Sequence, residues 1–193
     1  MKLQVIVGST RDDRVTDRIA AWVATVARNL ADTIVEVVDL KEYPMPFFDE
    51  AISPQYNPAR TPKPEVKKWL DKLAEADAYV LVTPEYNRST SAVLKNALDY
   101  IDFQFSRKPV AIVAHGSTGG AQAVAQLRGI LPGVLAVSVP QATFFLGRAA
   151  EAIDETGEMQ AEMKQNPYGP HAALKRMLDE TKWYSDALAA ARK

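Results

Sequence analysis

Val5-Ile6-Val7-Gly8-Ser9-Thr10-Arg11 is an apolar run that stops on glycine and passes into hydroxyl-bearing and basic residues. A run without polar alternation fits a strand buried on both faces. The pattern recurs. Ile34 to Val38 ends at Asp39-Leu40, Ala78 to Val82 stops at Thr83-Pro84, Val110 to Ala114 ends at His115-Gly116, and Val134 to Val139 follows. Between these runs apolar residues return at helical spacing over about 15–30, 66–76, 89–103, 119–131 and 170–190. The first of these helices carries Ile19, Trp22, Val23, Val26, Ala27 and Leu30. Five short buried strands alternating with helices imply an α/β domain: a parallel sheet with helices on both faces. Residues 41–64 hold Pro44, Pro46, Pro54, Pro58, Pro62 and Pro64, so they read as a long surface loop.

The chain has 193 residues, which suits one domain spanning 1–193. No internal repeat or low-complexity linker divides it. Basic residues number 23 against 24 acidic ones, with no basic block, so the electrostatic footprint of a nucleic-acid binder is missing. There is no cysteine, which removes disulfides, thiolate catalysis and zinc–thiolate sites. The two histidines, His115 and His171, form no spaced ligand pair, so no metal site is expected. Apolar runs are too short and too broken by charge to span a bilayer. Met1-Lys2-Leu3-Gln4 enters the first strand without a signal-peptide layout, so a cytoplasmic protein with no membrane partner is expected.

In open parallel sheets ligands sit beyond the carboxyl ends of the strands. Three junctions there have ligand-suited chemistry. Gly8-Ser9-Thr10-Arg11, with Arg14-Val15-Thr16 opening a helix, offers hydroxyls, a guanidinium and free N–H groups, a set suited to phosphate. Simple helix capping with a solvated arginine accounts for the same residues. Neither G-x-G-x-x-G nor G-x-x-x-x-G-K-[ST] is present. Thr83-Pro84-Glu85-Tyr86-Asn87-Arg88-Ser89 sets a rigid exit and a tyrosine wall where a planar heterocycle can lie; packing of Tyr86 on the core is the other reading. His115-Gly116-Ser117-Thr118-Gly119-Gly120 allows close backbone approach to a ligand, or only tight packing. Asp39 reads as a strand-end cap or a surface charge. Arg14 and Arg88 are candidates for a 2′-phosphate contact, or are solvated.

These residues resemble the NADPH-dependent FMN reductase family, including its quinone- and azo-reducing members. Thr83-Pro84-Glu85-Tyr86-Asn87 followed by Leu94-Lys95-Asn96-Ala97-Leu98-Asp99 is similar to its most recognisable motif. Gly8-Ser9-Thr10-Arg11 and His115 to Gly120 with Leu127-Arg128 occupy the places of its other two. The resemblance covers about residues 3–140. It implies a flavodoxin-like fold with strand order 2-1-3-4-5, FMN as cofactor, NADPH or NADH as donor, a small-molecule acceptor, and a homodimer or tetramer. It also implies that Ser9, Arg11, Val15 and Thr16 hold the FMN phosphate. Pro84, Glu85, Tyr86 and Asn87 would border the isoalloxazine, and His115, Gly116, Ser117, Thr118 and Gly119 its other edge. Hydride would be carried at N5 of FMN, so no side chain is assigned a catalytic role. Two departures stand out. His115 replaces a frequent aromatic residue, and Ser91 replaces a frequent proline, which is expected to soften the helix start.

The helix over 89–104 presents Val93, Ala97, Ile101 and Phe105 as one stripe and Leu94, Leu98 and Phe103 near another. One stripe suffices to pack on the sheet, which leaves the other for a partner copy or for the same core. In a dimer, the loop around Phe47 and Phe48 is expected to line the partner's pocket. An electron carrier or a flavin-binding regulatory module without turnover is the rival reading. Electron-carrying flavodoxins are usually strongly acidic, unlike this chain with its net charge of −1.

Overall fold

The computed structural model describes residues 1–146 and 149–192, so Gly147 and Arg148 of the stretch after the last strand lie outside it. The strands are β1 (Lys2–Val7), β2 (Ile34–Asp39), β3 (Ala78–Pro84), β4 (Pro109–Gly116) and β5 (Val137–Leu146). The helices are α1 (Thr16–Ala27), α2 (Pro64–Ala74), α3 (Ala92–Asp99), α4 (Ala121–Ile130), α5 (Ala149–Ala152), α6 (Ala161–Gln165) and α7 (Pro170–Ala191). All strand pairs are parallel and the order is β2-β1-β3-β4-β5, the flavodoxin-like arrangement.

Alternation within each strand feeds two cores. Val5, Val7, Val80, Val82 and Val113 pack with Ile19, Trp22 and Val23 of α1 and with Leu174, Met177 and Leu178 of α7. Ile6, Leu81, Ile112 and Ala114 face the other way, onto Trp69, Leu70 and Leu73 of α2, Leu94 and Leu98 of α3 and Val124 and Leu127 of α4. Both faces of the central strands are therefore dry, which is why their sequences are unbroken apolar runs.

Two expected elements shift. The fifth strand starts at Val137, because Leu131–Val134 is a 3₁₀ turn closed by Leu135 at φ 62. It then runs on to Leu146 through Pro140, Gln141 and Thr143. As an edge strand it pairs with β4 alone, and its register jumps between Val110 and Ile112, so Pro140 sits at a bulge where no N–H is needed. The helix expected over 89–104 is shorter, and most of both apolar stripes packs within the chain. Leu94, Ala97, Leu98, Ile101 and Phe105 are buried, which leaves Phe103 exposed and Val93 half-buried.

The proline-rich segment is pinned. Asn96 of α3 accepts from the Phe48 N–H at 2.8 Å and donates to the Pro46 carbonyl at 2.7 Å. Arg60, its side chain 5% exposed, pairs with Glu50 and Asp102 and donates to the Tyr100 carbonyl at 2.7 Å. Phe48 packs edge-on against Tyr100, so of the two phenylalanines only Phe47, 81% exposed, is left outside the core. No helix of the described residues is long and apolar enough to cross a membrane.

Candidate functional site

The strand order brings the ends of β1, β3 and β4 side by side, and with them all three junctions. Gly8 makes the first close approach. Its N–H donates to the Val82 carbonyl at 2.8 Å, and a Cβ there would lie 2.7 Å from that oxygen and 2.9 Å from Leu94 Cδ2. The Ser91 hydroxyl donates to the Gly8 carbonyl at 2.5 Å and accepts from the Leu94 N–H at 3.2 Å. Ser91 thus closes the start of α3 rather than softening it, and ties that helix to the first loop. Ser9 is buried, with Oγ 3.2 Å from the Tyr86 hydroxyl, so the first two loops are joined side chain to side chain.

Arg14 turns inward, its side chain 8% exposed. It pairs with both oxygens of Asp39, 3.0 Å for Nη1 to Oδ1, and donates to the Ser9 carbonyl. Both Nη atoms of this guanidinium are thus engaged in shaping the loop, rather than solvated, while the side chain lines the cleft beside Arg11. Asp39 also accepts from the Lys41 N–H at 2.9 Å, so it is a strand-end cap as well as a counter-charge. Arg88 is exposed and, with Asn87, adopts positive φ in a tight turn.

The three helix starts differ. α3 is capped by Ser91. α4 is capped by Glu85, whose carboxylate accepts from the Gln122 N–H at 2.9 Å, the Ala123 N–H at 3.4 Å and the Thr118 hydroxyl at 3.0 Å. Gly120, at φ 82, seats that helix against β4, and a Cβ there would meet Ala114 Cβ at 2.5 Å. At α1 no side chain caps from the N-cap position, and Asp17 accepts from the Arg18 N–H at 2.8 Å, which leaves the Thr16 and Asp17 N–H groups and the positive end of the dipole at the head of the helix. Beside it, exposed Arg11 sits 5.6 Å from the Tyr86 ring centroid and forms no ion pair among the described residues. The Thr16 hydroxyl lies 3.0 Å from His115 Nε2. Burial pushes the His115 pKa down to about 4, so the ring is neutral at pH 7.

Arg11, Val15, Thr16, Pro84, Glu85, Tyr86, His115 and Gly116 line one cleft of about 280 Å³. Asn87, Ser117 and Thr118 line a second, of about 350 Å³, that shares Glu85. Ser9 lies behind the first cleft and Gly119 is buried at φ 79. Sequence reasoning missed Asp13, which enters the first cleft at φ 49, and the structural duty of Arg14. A free guanidinium, a hydroxyl and an uncapped helix start fit a phosphate monoester, and the polar mouth between Tyr86 and Gly116 fits a ligand continuing beyond it.

Comparison with known proteins adds an independent observation: residues 1–151 match the model of the NADPH-dependent FMN reductases. The chain belongs to that family. An NAD(P)H-dependent FMN reductase of Schizosaccharomyces pombe is 37% identical over 127 residues, covering 66% of this chain and 64% of that protein, just under two thirds of its length. A quinone reductase of Pseudomonas putida is 34% identical over 166 residues, 80% of this chain and 82% of that protein. Among solved structures, the flavoenzyme FerB, an NAD(P)H:(acceptor) oxidoreductase of Paracoccus denitrificans, superposes with a TM-score of 0.71 at 24% identity. That match covers 98% of this chain and 97% of FerB, a likeness of fold.

Proposed function

We propose that this chain is an FMN-dependent oxidoreductase that passes electrons from NADPH or NADH to a small acceptor such as a quinone, a flavin or an azo compound. The observation that carries this reading is the uncapped start of α1 beside the free guanidinium of Arg11, in a chain of this family. Arg11, the Thr16 hydroxyl and the first N–H groups of α1 hold the phosphate. Pro84, Tyr86 and Asn87 border one edge of the ring, and Gly116 to Gly119 the other. The Glu85 carboxylate serves by holding the second and third loops together, since its oxygens are taken by Thr118 and α4. FMN, when bound, supplies the hydride chemistry, and the protein supplies position and field.

Donor and acceptor occupy the open face of the ring in turn, which gives ping-pong kinetics. The working species is a cytoplasmic homodimer of single FMN-binding domains. Exposed Phe47 and Phe103, which the chain's own core leaves unused, favour such a contact.

Calorimetric titration with FMN tests the site, with one flavin per chain expected and no binding up to millimolar concentration ending the proposal. Arg11→Ala removes one charge-assisted interaction, about 1.5–3 kcal/mol or roughly tenfold to a hundredfold in FMN affinity, and leaves riboflavin binding unchanged. Steady-state oxidation of NADPH with a quinone acceptor tests the activity. FMN binding without turnover would favour the electron carrier, and intersecting double-reciprocal lines would remove the shared face. Light scattering that gives a monomer with full activity would remove the dimer.

A further inference from the structure

At the end of β4, His115 stands opposite Pro84 in the register of β3, and its carbonyl accepts from the Glu85 N–H at 2.8 Å. Its side chain reaches across to α1, where Nε2 lies 3.0 Å from Thr16 Oγ1. Thr16 is buried, is the first residue of α1, and shares the first cleft with His115 and Arg11. A hydroxyl has one proton to give. If Thr16 gives it to Nε2, its oxygen turns only lone pairs towards the cleft, which an anion does not tolerate. If the imidazole carries its proton on Nε2, it donates to Oγ1, and the Thr16 proton is free for a phosphate oxygen. Only the second arrangement agrees with an uncapped helix start and a free guanidinium on the same cleft.

We propose that His115 is a positioning residue: its Nε2–H holds the Thr16 hydroxyl with the proton turned into the cleft, where it donates to a phosphate monoester. This rests on reading that cleft as the FMN phosphate site. A neutral ring suffices for the task, since one proton on the right nitrogen sets the donor direction. Among the described residues Nε2 is bonded to Thr16 and to no carboxylate, Asp13 of the same cleft included. The Glu85 carboxylate is bonded to Thr118 and α4, and Asp39 is paired with Arg14.

Nitrogen-15 NMR of the ligand-free protein reads the tautomer directly, and a protonated Nε2 with a bare Nδ1 is expected. Binding of FMN and of riboflavin by calorimetry then reads the consequence. His115→Leu lowers FMN affinity about threefold to tenfold, the size of one neutral hydrogen bond. His115→Gln, which returns an N–H donor near the Nε2 position, restores most of it. Thr16→Val loses a similar factor, and the double variant His115→Leu/Thr16→Val loses no more than Thr16→Val alone, because both act through one bond. Riboflavin affinity stays level across the set. A proton on Nδ1, full FMN affinity in His115→Leu, multiplying losses, or a parallel fall for riboflavin would each overturn the proposal. Equal affinity of the wild type for FMN and riboflavin would overturn the phosphate reading itself, a different result from a wrong tautomer in a protein that still prefers FMN.

Discussion

Arg14 and Asp39 close a two-pronged ion pair across the ends of β1 and β2, with Arg14 Nη1 3.0 Å from Asp39 Oδ1. The same guanidinium holds the Ser9 carbonyl, so one side chain braces the turn that leads into α1. The two arginines of the loop thus divide the work. Arg14 lines the cleft as a paired, nearly buried brace of the loop, and Arg11 lines it as an exposed group.

Asp39→Asn leaves the nearly buried Arg14 guanidinium with only the longer, half-exposed pair to Asp17, Nε to Oδ2 at 3.5 Å. Removing one partner of a fully buried pair costs about 3–5 kcal/mol. The Asp39 side chain is 24% exposed, which lowers the expectation to about 2–3 kcal/mol of unfolding free energy. Urea denaturation measures it. Arg11→Ala, at an exposed position, is expected to stay within about 0.5 kcal/mol of wild type. Equal stability of both variants would contradict the division of work.

Glu85 supplies the cap of α4, so Glu85→Ala exposes two N–H groups and frees Thr118. A loss of about 1–2 kcal/mol is expected, and Glu85→Gln should recover part of it, since the amide oxygen can accept while the charge–dipole contribution is gone. Both variants are expected to loosen the third loop, read as faster amide exchange at Ser117 and Thr118. Unchanged exchange would show that the loop stands without the carboxylate.

Stability is expected to fall in mild acid through His115. Burial holds its folded pKa at about 4, below the ordinary value of 6.5, so the unfolded chain takes up the proton first. The contribution is complete above about pH 6.5 and is lost as pH falls towards 4, on the order of 3 kcal/mol in all. His171 acts in the same direction, its pKa lowered by burial and then by Lys175 and Lys164. His115→Phe should therefore flatten, without abolishing, the slope of unfolding free energy against pH in that window. An unchanged slope would show that His115 stays solvated.

Two glycines should respond with opposite signs. Gly8→Ala drives a Cβ into the Val82 carbonyl and Leu94, and at least ~2 kcal/mol of destabilisation is expected, with the first loop displaced. Gly129, inside α4, has nothing within 4 Å of its would-be Cβ, so Gly129→Ala should stabilise by about 0.5–1 kcal/mol. Thermal unfolding of the pair compares them directly. A neutral Gly8→Ala would mean that the β1 exit has slack.

The five strands, their helices and the three junctions were legible in the order of residues, because burial on both faces writes itself locally as unbroken apolar runs and periodic stripes. Val5-Ile6-Val7 and Ala78 to Val82 needed no distant partner to be recognised. The edge strand was read less well, since β5 is buried against one neighbour only and carries Pro140 and Gln141 where a central strand would carry valines. Charged and polar side chains could not be assigned from their own neighbourhoods. Arg14 is paired 25 residues away, the α4 N–H groups meet Glu85 at a separation of 37 residues, and Thr16 meets His115 at 99. Hydrophobic patterning is a property of a short window, whereas the partner of a charge or a hydroxyl is whatever polar group the folded sheet brings within about 3 Å. For that reason the residue order marked the three loops as a candidate site, and only the tertiary structure decided that Arg11 forms no ion pair there among the described residues, that Arg14 pairs with Asp39, that Glu85 caps α4, and that His115 meets Thr16.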